Sequence, residues 1–565
     1  MKKIILFLGL LFFSWKIFSV EIIPVSELHP GMKGYGLSVF KGYQPERFEV
    51  EIIDILPKAL PKSDLILVKC SGAGLEKSRV SAGMSGSPIY FQGKLAGALA
   101  YTWSFSQEPI AGVTPIEAML EFLKQPAGSS KARQTSTEQT SLSPQLKPVD
   151  CPIMVSGFAP GKFHQIKEML EGLNLGPVIS GGGETIDKSA PAKLEPGSAV
   201  GVELVRGDLN ISAIGTATLV EGNTVLAFGH GFYRGGAVSF PLTLAKVHTI
   251  ISSEYLSFKL ASPAREIGEL TRDLELGIAG RLNQKPQTIP VKIELNNQIL
   301  NLKNTYNFQV ANHPAMVPVL VQICLFEAIS SSGAVSEYTT VKLDLKMQIE
   351  NYESPINYQD WFTFSGNIFT SNYLAPISLI LNNRYQKVKI KNLDFKLKLS
   401  PGWEVATIKS VWANKTEVAP GDTVLVGIRF QVFQGEEFEK KISLKIPEKS
   451  QRQFTLNLMG GETMPPDFAP PNSLEDLIQA IKKLPSPRWL VVRYSKPGLI
   501  LDEQGKRLRG LPPSAQKIIA GKTNSRSRKI PAYEYQIYPM PYIIRGGASL
   551  RFKVKTPPAT KKPSR

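Results

Sequence analysis

The stretch Gly83-Met84-Ser85-Gly86-Ser87-Pro88 holds the residues best suited to covalent chemistry. A serine hydroxyl attacks a carbonyl when a base takes its proton and backbone N–H groups meet the oxyanion, and a tight glycine-rich turn suits both needs. Ser85 is the first candidate nucleophile and Ser87 the second. The pattern departs from the Gly-x-Ser-x-Gly elbow of α/β-hydrolases, because position 87 is serine and a strand, not a helix, is expected next. Gly-Ser-Pro clusters also build ordinary turns, so these six residues alone leave a catalytic and a purely conformational reading open. Metal chemistry is not expected. His29, His164, His230, His248 and His313 form no His-x-x-x-His pair, and Cys70, Cys151 and Cys324 are too scattered for a zinc site and allow one disulfide at most. The run Gly181 to Gly183 lacks the lysine and strand-to-helix setting of a phosphate loop and reads as a hinge, so no cofactor is expected.

The elements that must hold the Ser85 turn are strands. From Gly34 to Val68 short alternating runs broken by Gly and Pro predict β-hairpins, and Gln92-Gly93 separates two more apolar strands after the turn. A helix is expected over Thr114 to Leu123 with Thr114 as its N-cap, closing a β module over residues 21–125. Residues 126–150, rich in Ser, Thr and Pro, read as an exposed linker. A small α/β unit follows over 151–195, its helix ending near Gly172, and β texture returns over 196–290, including the strand end Gly229-His230-Gly231. Residues 291–400 predict strands with one helix, in which Pro318 suits only the first turn. About five short strands over 405–447, with a Pro420-Gly421-Asp422 turn between them, give 401–460 the pattern of an immunoglobulin-like β-sandwich. A helix capped by Ser473 then opens a basic β-rich module over 461–555, and residues 556–565 read as a disordered tail.

Charge and the first residues bear on location and partners. Lys2 and Lys3 precede an apolar run from Ile4 to Trp15, with Ser19 suited to cleavage near Val20, so residues 1–20 read as a secretory signal. The chain is therefore expected to be exported, to periplasm, cell envelope or exterior, with no transmembrane span after signal removal. Residues 481–565 carry 20 Lys or Arg against 3 Asp or Glu, which accounts for nearly all of the net charge of +18. Such a surface attracts anionic polymers or lipid. Nucleic acid is not expected as partner, since this region has no helix-turn-helix, zinc spacing or RNP-like signature.

Two blocks carry a family resemblance. "GMSGSPIYFQGKLAGALAYTW" with "PIAGVTPIEAML" resembles the nucleophile region of the SpoIVB-type serine endopeptidases, the sporulation stage IV peptidase family. "IGTATLVEGNTVLAFGHGF" resembles that family's histidine region. The resemblance implies a mainly β protein with a chymotrypsin-like two-part β-barrel core and few helices, cleaving a protein or peptide substrate with Ser85 as nucleophile and His230 as general base. Set like the turn of chymotrypsin-type enzymes, the N–H groups of Gly83 and Ser85 would form the oxyanion hole. Imidazole suits the role because it titrates near neutrality, and His29 is the rival base. The family's aspartate, fifteen residues before the nucleophile, is Cys70 here; the closest carboxylates are Asp64, the candidate orienting acid, and Glu76. Serine also precedes histidine here, the reverse of the family order, and no PDZ module is evident. A second expectation follows from Cys70: a catalytically inactive envelope scaffold that keeps the peptidase fold.

Overall fold

The computed structural model describes residues 20–60, 63–103, 106–124, 146–173, 175–181, 190–333, 338–365, 373–447, 453–464, 471–503, 506–508 and 527–555. The signal expected over 1–20, most of the 126–150 linker, Gly182, Gly183 and the tail 556–565 lie outside these residues, apart from Val20 and 146–150. The fold is mainly β. The chain divides into two compact units, Met1–Thr288 with Gln309–Leu320, and Ile289–Phe308 with Val321–Arg565.

The first unit opens with β1 (Lys33–Ser38), β2 (Glu46–Leu60), β3 (Ser63–Ser71), the short helix α1 (Leu75–Ser78), β4 (Pro88–Phe91), β5 (Lys94–Trp103) and β6 (Ile110–Pro115). Alternation along β2 buries Phe48, Val50 and Ile52 on one face, as period-two patterning requires. The order β4-β1-β2-β3-β6-β5 closes through a β4–β5 pairing, with Ile66, Val68, Ile89, Phe91, Leu99 and Val113 in its core. Helix α2 (Ile116–Lys124) follows. Its expected cap is corrected: Thr114 is a strand residue of β6, and its hydroxyl donates to the Gly229 carbonyl at 2.7 Å.

The end of the expected linker is also corrected. Leu146–Pro148 forms β7, paired antiparallel to β5 at Tyr101, Thr102 and Trp103. Next come β8 (Ile153–Ser156), α3 (Phe163–Glu171) and β9 (Val178–Ser180), with β8 and β9 parallel and within the first unit. A closed six-stranded barrel follows: β10 (Ala199–Gly207), β11 (Asn210–Glu221), β12 (Thr224–Ala227), β13 (Gly236–Ile251), β14 (Phe258–Leu274) and β15 (Gly277–Leu282), in the order β10-β13-β14-β15-β12-β11 with β11 returning to β10. One apolar cluster takes Leu95 and Ala98 from β5, Ile116 and Met119 from α2, and Leu219 and Leu226 from the barrel, so the two rings are packed together.

The chain passes between the units along β16 (Thr288–Asn297), β17 (Leu302–Ala311) and α4 (Val317–Ser331), and the second unit continues with β18 (Thr339–Ile349), β19 (Ile356–Phe364), α5 (Ala375–Leu381) and β20 (Ile390–Pro401). Pro318 does stand in the first turn of α4, but α5 makes two helices where one was expected. The strands β21 (Val405–Ala413), β22 (Glu417–Val418), β23 (Thr423–Val432) and β24 (Glu437–Lys445) lie between 405 and 447, where about five were expected. After β25 (Gln453–Gly460) comes α6 (Leu474–Ile481), where the Ser473 hydroxyl accepts the Asp476 N–H at 3.0 Å, as expected of a cap. The remaining strands are β26 (Trp489–Glu503), β27 (Lys506–Leu508), β28 (Ser527–Pro539), β29 (Ile543–Arg545) and β30 (Gly547–Val554). The boundary expected at 460 cuts through one core: Val424, Ile428 and Phe430 pack with Leu490, Val492, Ile544 and Phe552. The basic end supplies strands to both sheets of this layer pair, so it is not a separate module.

Candidate active site

The Ser85 turn leaves β3 and α1 and enters β4, and the second barrel holds it at several points. The Ala82 N–H donates to Ser257 O at 2.8 Å, and Lys259 N–H returns to Ala82 O at 3.0 Å. Thr216 N–H donates to Ser85 O at 2.9 Å, while the Thr216 and Thr218 hydroxyls donate to Gly83 O and Gly86 O at 2.9 and 2.7 Å. Gly86 is required here. Its φ is +94°, and a Cβ would stand 2.0 Å from Thr216 O and 2.4 Å from Phe228 N.

Histidine arrives from the second barrel. Strand β12 ends at Ala227, and Phe228 takes φ +69°, a left-handed conformation costly for a bulky residue. That bend turns Phe228 O to 2.6 Å from Ser85 Oγ and brings His230 Nε2 to 2.5 Å from the same oxygen. Two residues 145 positions apart thus meet in a buried pair, with Ser85 fully inaccessible and His230 5% exposed.

No family model, curated protein or solved structure matches the chain. The site's meaning therefore rests on its own geometry.

The other expected site residues fall elsewhere. Ser87 turns its hydroxyl to Met84 O at 2.7 Å, with Ser38 Oγ 3.0 Å away, so it faces the floor of the turn and not the histidine. His29 is exposed, its Nδ1 against Pro30 O, and is not the partner of Ser85. Asp64 accepts the Lys58 N–H at 2.8 Å at the β2–β3 hairpin, while the orienting contact on His230 Nδ1 comes from the Gly231 carbonyl at 2.8 Å. Glu76 accepts the Gly72 N–H. Cys70 is buried in the core of the first ring, and all three cysteines are free. Of the expected oxyanion donors, the Gly83 N–H is engaged by Asp150 O at 2.9 Å.

Three participants had no sequence signal. Lys259, fully buried on β14, lays its stem under Gly83 and donates from Nζ to Ser38 Oγ at 2.9 Å and Thr216 Oγ1 at 3.1 Å. Burial pushes its ammonium down to about 7. Asp273 accepts the N–H groups of Phe232 at 2.8 Å, Tyr233 at 2.7 Å and Gly235 at 3.4 Å, and so fixes the loop that follows His230. Burial raises its carboxyl while those donors pull it back. The third is the segment Val149–Cys151. Val149 O lies 2.8 Å from His230 Nε2, and Cys151 Sγ lies 4.0 Å from it. Burial lowers the His230 imidazole below its ordinary value, against the opposing pull of the Gly231 and Val149 carbonyls. Among the described residues no His, Cys, Asp and Glu cluster could hold a metal ion, and no helix is long and apolar enough to cross a membrane.

Proposed function

We propose that this protein is a serine-type endopeptidase with Ser85 as nucleophile and His230 as general base. The observation that carries the reading is the 2.5 Å approach of Ser85 Oγ to His230 Nε2 between two separately closed rings of strands. Two such rings flanking one Ser-His pair suit the chymotrypsin-like core that the sequence resemblance implies.

The chemistry follows from the contacts. With Nδ1–H donated to Gly231 O, Nε2 is the acceptor, and it takes the Ser85 proton as Oγ bonds to the scissile carbonyl carbon. The Gly83 N–H, once released from Asp150 O, serves with the Ser85 N–H as donor to the resulting oxyanion. Nε2–H then passes its proton to the departing amine, and water repeats the sequence on the acyl ester, returning the acid and free Ser85. A carbonyl at Nδ1 keeps the useful tautomer but brings no full negative charge to the imidazolium, so turnover is expected below that of an aspartate-assisted triad. Export on the amino-terminal apolar segment, and contact of the basic carboxy-terminal strands with an anionic envelope polymer, complete the proposal on sequence grounds.

A scaffold without activity is the second reading, favoured by the Val149 and Asp150 carbonyls that stand on the base and on the Gly83 donor. Fluorophosphonate labelling and casein hydrolysis by the mature chain separate the two. Labelling confined to Ser85 and abolished by Ser85→Ala, with at least a hundredfold loss in His230→Ala, is the expected result. Equal behaviour of all three proteins would leave the scaffold.

A further inference from the structure

Leu146 to Cys151 lies in the site as a guest peptide would. Its first three residues pair antiparallel with Trp103, Thr102 and Tyr101, and the Val149 N–H continues the ladder to Ala100 O at 2.8 Å. At the Ser85 turn, Asp150 O accepts the Gly83 N–H and Val149 O reaches His230 Nε2. We infer that this segment is an internal strap, an uncleaved stand-in for an extended polypeptide, which holds the pair closed until it is withdrawn from β5; the inference rests on the peptidase reading of Ser85 and His230.

Proton counting supports it. Three carbonyls face the pair: Phe228 O toward Ser85 Oγ, Gly231 O toward Nδ1 and Val149 O toward Nε2. A neutral imidazole owns one N–H, so with the strap seated either Gly231 O or Val149 O meets a lone pair instead of a donor. Burial favours the neutral ring, so with the strap seated Val149 O stands against the Nε2 lone pair that must take the serine proton. Removal of Val149 O leaves Nδ1–H on Gly231 O and a free Nε2 lone pair, toward which Ser85 turns its one hydrogen from Phe228 O. Removal of Asp150 O frees the Gly83 N–H in the same movement.

The strap has a firm anchor at its carboxy-terminal end. Beyond Cys151 it is anchored, since β8 pairs with β11 and the Ile214 N–H holds Pro152 O at 3.0 Å. A cavity of about 650 Å³ runs beside it, lined by Arg79, Thr102, Trp103, Lys147, Asp150 and Tyr255, and gives an entering peptide room for side chains. Lys147 Nζ and Asp150 Oδ2 form a half-exposed ion pair 3.0 Å apart, which ties the strap to itself and not to either ring.

The test compares wild type with Val149→Pro, which deletes the N–H donated to Ala100 O, and with the milder Lys147→Glu. Readouts are maleimide modification of Cys151 against the buried references Cys70 and Cys324, fluorophosphonate labelling of Ser85, and native-state hydrogen exchange of the unmodified protein. The expected result is at least tenfold faster modification of Cys151 and labelling of Ser85 in Val149→Pro, with Cys70 and Cys324 still protected. In wild type the Val149 and Gly83 amides should exchange through a local opening, ahead of those in β5 and β6. If those two amides open only with the whole unit, and Cys151 stays as protected as Cys70, the strap is a fixed strand and the inference is overturned. Cys151 opening while Ser85 stays unlabelled would keep the strap and refute the peptidase reading instead.

Discussion

Replacing Lys259 by Met gives the most quantitative test of how the site is held. Burial moves the folded ammonium from 10.5 to about 7. At about 1.4 kcal/mol per unit, the shift corresponds to a penalty on the order of 5 kcal/mol below pH 7, where the folded chain must keep the charge. Two hydrogen bonds, to Ser38 and Thr216, offset part of it at about 1–2 kcal/mol each. Neither hydroxyl is orphaned in the variant, because Ser38 Oγ keeps Ser87 nearby and Thr216 Oγ1 still donates to Gly83 O. Met fills a similar volume, so Lys259→Met is expected to raise stability at pH 7 by roughly 1–3 kcal/mol. The sign of the pH dependence is fixed by proton binding. Between about 7 and 10.5 the unfolded chain holds the proton and the folded chain does not, so wild-type stability rises with pH, by about 2 kcal/mol between pH 7.5 and 9.5 relative to the variant. Urea unfolding of both proteins, followed by thiol exposure of Cys70 in the same unit, measures the difference. A wild-type-minus-variant difference that stays constant within about 0.5 kcal/mol across that window would refute the buried, neutralised lysine.

Two further outcomes test the frame around the pair. Gly86→Ala, with its Cβ set 2.0 Å from Thr216 O at a positive φ, should cost about 3 kcal/mol or more and remove Ser85 labelling, read by thermal melting beside the labelling assay. Asp273→Asn keeps one acceptor oxygen but turns an amide donor toward the N–H of either Phe232 or Tyr233, which lie on different oxygens. A loss of about 1–3 kcal/mol is expected, with Ser85 labelling slowed more than tenfold because the His230 loop is released; unchanged labelling would show that Gly231 O alone suffices.

Much of this site is local in origin and so is legible in order along the chain. Gly83 to Pro88 can form only a tight turn, Gln92-Gly93 closes a hairpin, and Gly229-His230-Gly231 marks a strand end; each depends on the φ preferences of neighbours a few positions apart. The alternation in β2 and the Ser473 cap follow for the same reason. Residues without a local signature were missed or misplaced. Lys259 and Asp273 look like any charged residue on a strand, and their burial depends on what the neighbouring barrel wall covers. Thr114 fits an N-cap by type, but a ladder with β5 takes it first. Lys147-Pro148-Val149-Asp150 has linker composition, yet the open edge of β5 recruits it, because unpaired backbone groups at a buried edge must find partners.

The sequence by itself determined which short segments could turn, alternate or cap, and put a serine and a histidine at the ends of such segments. Only the tertiary structure decided that these two meet, that a carbonyl of Gly231 and not Asp64 faces the imidazole, and that Asp150 O stands on the Gly83 donor. The physical reason is range. Turn and strand preferences act over a few residues, whereas a contact across 145 positions exists only after both rings have closed and buried the apolar faces that press them together.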